Sequence, residues 1–111
     1  LFWNGEQIRD FIYIEDLAKA HILPLNLSGF HVYNIGTEKG IKIMDVVNKI
    51  FEITGLKVPI EDKGERKGDV EKLVASSEKI ARDLGWKAEV SLEEGLKKTI
   101  DFYKHLSSPE V

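Results

Sequence analysis

The chain has 111 residues, 42% of them hydrophobic, and it contains no cysteine. This length supports one modest core, so we expect residues 1–111 to form a single domain or a fragment of one, and the absence of cysteine excludes disulfides and thiolate metal sites. The net charge of −3 is made of interspersed charges of both signs, which disfavours nucleic acid and an anionic membrane surface as partners.

The first part of the chain predicts a strand followed by a helix. Residues 9–14, RDFIYI, are rich in aromatic and β-branched residues, as strands are. The following EDLAKAHILPLNL predicts a helix with Asp16 as its N-cap, and Pro24 is expected to kink or end it.

A second strand and helix follow. Residues 30–36, FHVYNIG, predict the strand, and TEKG forms the turn after it. The helix is predicted by apolar residues at helical spacing: Ile43, Val46, Val47, Ile50 and Phe51. Gly55 is expected to end this helix, and Lys42 stands where a capping side chain would be expected.

The remaining sequence predicts one more strand and two more helices. Residues 57–62, KVPIED, predict a short edge strand because they contain Pro59. One helix is EKIARDL, capped by Ser76 or Ser77 and ended by Gly85.

The last helix, LEEGLKKTIDFYKHL, begins at a capping box formed by Ser91 and Glu94. The final SSPEV is typical of a frayed tail.

Alternating strands and helices indicate an α/β architecture with some parallel pairing. The chain shows no apolar run approaching the roughly 18 residues of a membrane span, and no targeting segment, so we expect a cytoplasmic protein. The three His lack metal-ligand spacing, so no metal site is expected.

The segment GERKGD at residues 64–69 suggests an anion-binding loop. Its glycines let the backbone bend sharply while Arg66 or Lys67 is aimed at a ligand, and Asp69 closes the run. The alternative is a solvated turn, which composition alone favours. For Arg9 the corresponding alternative is an ion pair with Asp10 or another nearby acid.

Five segments occur in an order that is typical of one enzyme family. They are GEQIRDFIYIEDLAKAH, YNIGTEKG, GERKGDVEKL, KIARDLGW and SLEEGLKKTIDFY, and they cover nearly the whole chain. In this order they resemble the C-terminal portion of the NAD-dependent epimerase/dehydratase family of extended short-chain dehydrogenases, with the 4-epimerases of UDP-hexoses as the most similar subgroup. The resemblance implies the C-terminal substrate-binding part of such an enzyme, with short strands alternating with helices in an incomplete Rossmann sheet.

The resemblance also implies binding roles for three residues. By the family pattern, Arg9 and Arg66 contact the diphosphate of a nucleotide sugar, and Asp69 binds the ribose hydroxyls. A guanidinium offers a planar fork of donors to phosphate oxygens, and a carboxylate accepts from vicinal hydroxyls. Tyr33 and Asn34 are expected beside this site, at most as supporting residues.

Several other residues have structural interpretations. Trp86 is expected in the core, Lys67 at the surface, and Glu93 and Glu94 in a helix's first turn, where acids are favoured by the helix dipole. Glu65 stands where the family often has a second basic residue, and an acid there is unfavourable beside a diphosphate unless it points away.

The sequence lacks the cofactor and catalytic motifs of the family. These enzymes bind NAD at a Gly-rich turn and use a Tyr with a Lys four residues later. Here Tyr13, Tyr33 and Tyr103 are followed at that spacing by Leu17, Thr37 and Ser107. We therefore expect no catalytic or cofactor-binding residue in this chain, with both functions in an N-terminal Rossmann part of the parent enzyme. The alternatives are a related nucleotide-sugar dehydratase or decarboxylase, a stand-alone nucleotide-binding module, or a purely structural domain.

A first prediction concerns the chain by itself. We expect the purified 111-residue chain neither to bind NAD nor to interconvert UDP-glucose and UDP-galactose, because the glycine turn and the Tyr/Lys pair are missing. Chromatographic turnover assays and NAD titration test this. Detectable turnover in a preparation free of host epimerase would contradict it.

Overall fold

The computed structural model describes residues 1–106, so the tail predicted at SSPEV lies outside the described residues. Most regular structure is helical, in the four helices α1 (Ile14–Ile22), α2 (Ile43–Thr54), α3 (Glu78–Leu84) and α4 (Leu92–Leu106). Two short 3₁₀ segments, Trp3–Gly5 and Leu23–Asn26, and two strands, β1 (Ile8–Arg9) and β2 (Ile41–Lys42), complete the described elements. Helices combined with a small sheet confirm the α/β class. None of the helices within residues 1–106 is long and apolar enough to cross a membrane.

Strand β1 is paired on both sides. It runs antiparallel to β2, with Ile8 opposite Lys42 and Arg9 opposite Ile41. On its other side Ile8 forms a parallel bridge with Lys72, in which the Ile8 N–H donates to the Glu71 carbonyl at 2.8 Å and the Leu73 N–H donates to the Ile8 carbonyl at 2.9 Å. This bridge confirms parallel pairing and brings β1 beside the chain that leaves the 64–69 loop.

The predicted strands were mostly wrong. Of residues 9–14, only Arg9 lies in a strand, while residues 30–36 and 57–62 form no strand within the described chain. A strand exists only with a hydrogen-bonding partner, and the strand propensity of FHVYNI meets no neighbouring strand within residues 1–106. Strand β2, which propensity did not indicate, forms because it does have a partner.

The predicted helices were largely correct. Helix α1 ends at Ile22 and gives way to the 3₁₀ segment that contains Pro24. Gly55 and Gly85 end α2 and α3 with φ of 69° and 70°, in the left-handed region that glycine accepts best. At the start of α4, the Glu94 N–H donates to Ser91 Oγ at 3.2 Å, which is one half of the predicted capping box, while the Glu94 carboxylate lies 3.4 Å from Lys98 Nζ.

Two other helix starts differ in detail. Lys42 precedes α2 without a side-chain capping bond, as its residue type implies. Ser77 is the N-cap residue of α3 but its hydroxyl makes no cap, and the Glu78 N–H instead donates to Ser76 Oγ at 3.4 Å. The Ser77 hydroxyl is used elsewhere: it donates to the Gly36 carbonyl at 2.6 Å and accepts from the Gly36 N–H at 2.7 Å.

The assignment of Asp16 as a helix cap was wrong. Helix α1 begins two residues earlier, after Tyr13, and the buried Asp16 carboxylate accepts from the N–H groups of Glu89 and Val90 at 3.2 and 3.0 Å. Its backbone carbonyl accepts from Trp86 Nε1 at 2.9 Å. Asp16 therefore ties α1 to the segment between α3 and α4, and Trp86 is in the core as predicted.

The carboxylate of Asp10 binds two other segments of the chain, residues 37–38 and Ala75. It accepts from Thr37, whose N–H lies 2.9 Å and whose Oγ1 lies 2.5 Å from Oδ1, and its Oδ2 accepts from the Glu38 N–H at 3.1 Å and the Ala75 N–H at 3.3 Å. A Cβ on Gly36 would lie 2.5 Å from Asp10 Oδ2 and 2.8 Å from Ala75 Cβ, so a side chain at residue 36 would displace this network.

We predict that Asp16→Ala destabilises the fold strongly. It leaves two N–H groups without an acceptor, and a hydrogen bond to a charged group contributes about 1.5–3 kcal/mol. In the full-length parent enzyme we expect a lower melting temperature and faster amide exchange at Glu89 and Val90. The control is Asp101→Ala, which removes an exposed acid of α4. Equal melting temperatures and exchange rates for the two variants would contradict this role.

We also predict that the isolated chain self-associates or rearranges its N-terminal segment. Residues 30–35 are strand-forming and carry Phe30 and Val32, whose side chains are largely exposed. An unpaired, apolar, extended segment is a template for pairing with another chain. Light scattering measures the mass of the particle. A strict monomer with the same strand pairing would refute the prediction.

Candidate functional site

The 64–69 loop has the geometry of a tight turn. The Asp69 N–H donates to the Arg66 carbonyl at 3.1 Å, and Gly68 has a φ of +83°, which requires glycine at the corner. Upstream, the Trp3 N–H donates to the Gly64 carbonyl at 2.9 Å. The loop is thus an ordinary turn in its backbone and is anchored to the N-terminal segment, so any function lies in the side chains that it presents.

The three predicted site residues converge. The Asp69 side chain is only 9% exposed, and its Oδ1 lies 2.8 Å from Arg9 Nη2 while its Oδ2 lies 3.5 Å from Arg66 Nη2. The Val70 N–H also donates to Oδ1, at 3.1 Å. Arg9 is thus paired with an acid, but with Asp69, 60 residues away, and not with Asp10. The pairing joins β1 to the loop.

Arg9 is held in place by three hydrogen bonds. Its side chain is 21% exposed, and besides Asp69 it donates from Nη1 to the Ile8 carbonyl at 2.8 Å and from Nη2 to the Val70 carbonyl at 2.7 Å. A guanidinium has five N–H donors. The bonds found among residues 1–106 use three of them, so two remain for a ligand. Arg9 is a fixed cation with spare donors.

Arg66 is much freer. Its side chain is 62% exposed, its separation from Asp69 is long for an ion pair, and its guanidinium carbon lies 5.1 Å from the centroid of the Phe2 ring. A long ion pair whose cation is this exposed contributes little free energy, although its acid is largely buried. Arg66 can therefore leave Asp69 at small cost.

The residues that the sequence placed next to this cluster lie in different environments. Lys67 is exposed as predicted, and Glu65 is exposed too. Tyr33, which was expected beside the site, packs against α3: its hydroxyl donates to Asp83 at 3.2 Å, and burial together with this bond raises the pKa of Tyr33. The hydrogen bond and ring contacts found for Tyr33 in the described chain are with Asp83, His31 and Lys79, so the structure does not bring Tyr33 to the three predicted site residues.

Gln7 was not identified from the sequence. It is 3% exposed, and its Nε2 donates to Asp69 Oδ2. The available signal was its spacing: residues i and i+2 of an extended segment point to the same side, so Gln7 and Arg9 face the same way. A neutral amide is not among the residue types that by themselves indicate an anion-binding site.

Within residues 1–106, the cleft beside α3 does not contain the predicted site residues, and the His, Asp and Glu side chains do not form a metal site. A cleft of about 720 Å³ lies between residues 36–38 and α3, and none of the three predicted site residues lines it. Among residues 1–106, no three His, Asp or Glu side chains are arranged to hold a metal ion. The candidate site is therefore the side-chain cluster around Asp69.

Comparison with known proteins gives a consistent result. Residues 2–99 match the family model described as GDP-mannose 4,6 dehydratase. A UDP-glucose 4-epimerase from Corynebacterium glutamicum is 44% identical over 89 residues, a match that covers 78% of this chain and 27% of that protein.

Two solved structures have the same fold. The UDP-glucose 4-epimerase of Thermotoga maritima, determined with UDP-glucose, matches with a TM-score of 0.90 and 36% identity over 97% of this chain and 35% of that one. The enzyme from Bifidobacterium longum, in complex with NAD+ and UDP, matches with a TM-score of 0.84 and 30% identity over 91% of this chain and 31% of that one. The chain thus spans about a quarter to a third of the length of these proteins.

Proposed function

The chain belongs to the GDP-mannose 4,6 dehydratase family of extended short-chain dehydrogenases, and we propose that it holds the UDP portion of the substrate in a UDP-glucose 4-epimerase. The observation that carries this proposal is the convergence of Arg9, Arg66 and Asp69, from segments 60 residues apart, on one surface cluster. Similar proteins determined with UDP-glucose or UDP support the choice of ligand.

In this proposal the diphosphate binds Arg66, and the ion pair between Arg66 and Asp69 breaks. Phosphate oxygens form strong charge-assisted bonds with a guanidinium, and they replace a 3.5 Å contact that costs little to break. The departure of Arg66 frees acceptor capacity on Asp69 Oδ2. A ribose hydroxyl can then donate to that oxygen.

Arg9 acts as the fixed part of the same site. Its bonds to Asp69, Ile8 and Val70 hold the guanidinium before any ligand arrives. Such preorganisation avoids the loss of side-chain freedom on binding. The two remaining N–H donors of Arg9 are proposed to meet the diphosphate beside Arg66.

The chemical step is proposed to occur on other residues of the parent enzyme. In such an enzyme NAD would supply the hydride chemistry, and the residues of this chain do not fit it: they offer neither a Gly-rich turn after a strand nor a Tyr paired with a Lys. Of the three tyrosines, Tyr33 has its hydroxyl engaged by Asp83. This chain alone is thus proposed to be inactive. It anchors the unreactive end of the substrate, which keeps the nucleotide in place while the sugar reorients.

A second candidate is a related nucleotide-sugar dehydratase or decarboxylase, favoured by the description of the matching family model. Both candidates share the nucleotide-anchoring role and differ in the chemistry of the missing part. A stand-alone nucleotide-binding module is a third candidate. A Gly-rich βαβ unit and a Tyr-x-x-x-Lys upstream of Leu1 in the gene would distinguish an enzyme from such a module. The cytoplasmic location remains a prediction from the sequence.

We predict that Arg66→Ala in the full-length parent enzyme weakens UDP binding about tenfold or more while NAD binding is unchanged. The reason is the loss of a charge-assisted contact to the diphosphate, which contributes roughly 1.5–3 kcal/mol. Calorimetric titration with UDP and with NAD measures both. The matched control is Lys67→Ala, which removes a neighbouring exposed cation and leaves the proposed site intact.

The control separates a specific contact from general electrostatic attraction. Lys67→Ala should bind UDP nearly as the unmodified enzyme does. If Arg66→Ala also binds UDP normally, residues 64–69 form only a solvated turn. Equal weakening in both variants would indicate nonspecific charge and would likewise reject the site.

A further inference from the structure

Gln7 makes an unusual contact for a buried neutral side chain. It is 3% exposed, and its amide nitrogen donates to Asp69 Oδ2. A buried amide is costly unless it is hydrogen-bonded, and Asp69 supplies the acceptor. The amide must present its nitrogen here, because a carboxylate oxygen accepts and the amide oxygen would be repelled.

Gln7 and Arg9 each bind one oxygen of the Asp69 carboxylate. Arg9 donates to Oδ1 and Gln7 donates to Oδ2. With one fixed donor on each oxygen, the carboxylate plane of Asp69 cannot rotate freely. Both donors belong to the same extended segment, so a single backbone positions them.

The neutrality of Gln7 matters for the same carboxylate. Asp69 already faces two arginines, and a third cation would compete with Arg66 for Oδ2. An amide donor adds no net charge, so it orients Oδ2 and leaves that oxygen able to accept from a further group. When Arg66 turns to the diphosphate, Gln7 keeps the oxygen in place.

We propose that Gln7 is a positioning residue that sets the orientation of Asp69 for the ribose hydroxyls of the nucleotide. This inference rests on the proposed function, since it assigns a supporting residue to the same site. Gln7 acts through Asp69 and does not itself contact the sugar. Its contribution should therefore be to affinity and to recognition of the hydroxyls, with the rate of the chemical step unaffected.

The test uses Gln7→Met in the full-length parent enzyme, with UDP and 2′-deoxy-UDP as probes. Met has a similar length and no donor, so it retains packing and removes the bond to Asp69. We expect UDP affinity to fall about three- to tenfold and the preference for UDP over 2′-deoxy-UDP to shrink. KM should rise while kcat is retained.

Gln7→Glu supplies a second readout. Two facing carboxylates repel when both are charged, whereas at lower pH one of them binds a proton and can donate it in a hydrogen bond to the other. Measured relative to the unmodified enzyme at each pH, the UDP affinity of Gln7→Glu should recover as the pH falls. NAD binding reports that each variant is folded, and if Gln7→Met fails to fold, this pH profile alone decides.

The outcomes separate the two proposals. Unchanged UDP affinity, unchanged preference for UDP over 2′-deoxy-UDP and a flat relative pH profile would overturn the role of Gln7. If that result accompanies a weakened Arg66→Ala variant, only the Gln7 proposal fails. If Arg66→Ala also binds UDP normally, the proposed function fails with it.

Discussion

Two aspartate carboxylates bonded to backbone N–H groups hold this chain together where a continuous sheet would otherwise do so. Asp10 joins β1 to residues 37–38 and to Ala75, and Asp16 joins α1 to residues 89–90. The N–H groups that these carboxylates bind are distant in sequence. Each of them would lose its acceptor if the carboxylate were removed. Strands of two residues cannot supply this connection, so side-chain acceptors take the place of ladder bonds.

The candidate site depends directly on this arrangement. Arg9 and Asp10 are adjacent, and neighbouring side chains of an extended segment point to opposite sides. One side therefore carries the structural carboxylate, while the other carries Gln7 and Arg9 toward Asp69. Because Arg9 and Asp10 are adjacent, we expect a shift in the bonds of Asp10 to move Arg9 as well, which would couple the Asp10 network to the cluster around Asp69.

The limits of sequence-based prediction follow from how far each determinant reaches. Helices α2 and α4 were predictable because apolar spacing, capping serines and terminal glycines act within a few residues. The extended residues 30–36 were mispredicted as a strand because pairing depends on a distant partner. Asp16 was predicted as a helix cap because the surrounding sequence does not distinguish an Asp that caps its own helix from one that binds distant backbone N–H groups. Arg9 was connected with Arg66 and Asp69 only through resemblance to a family, and the binding roles of all three stay a prediction. Gln7 was missed because its i+2 spacing from Arg9 does not by itself indicate a contact with residue 69.

The anchoring of the loop to Trp3 has a spectroscopic consequence. The two tryptophans of the chain stand in different settings: Trp3 bonds through its backbone to Gly64, whereas Trp86 is buried and donates its indole N–H to Asp16. Trp3 Nε1 is shielded from solvent without a hydrogen-bond partner among the described residues. Because the backbone of Trp3 is bonded to Gly64, we expect displacement of the loop that bears Arg66 to shift Trp3 and to change its emission. Trp86, fixed inside the core, provides an internal reference against which such a change in fluorescence can be recognised.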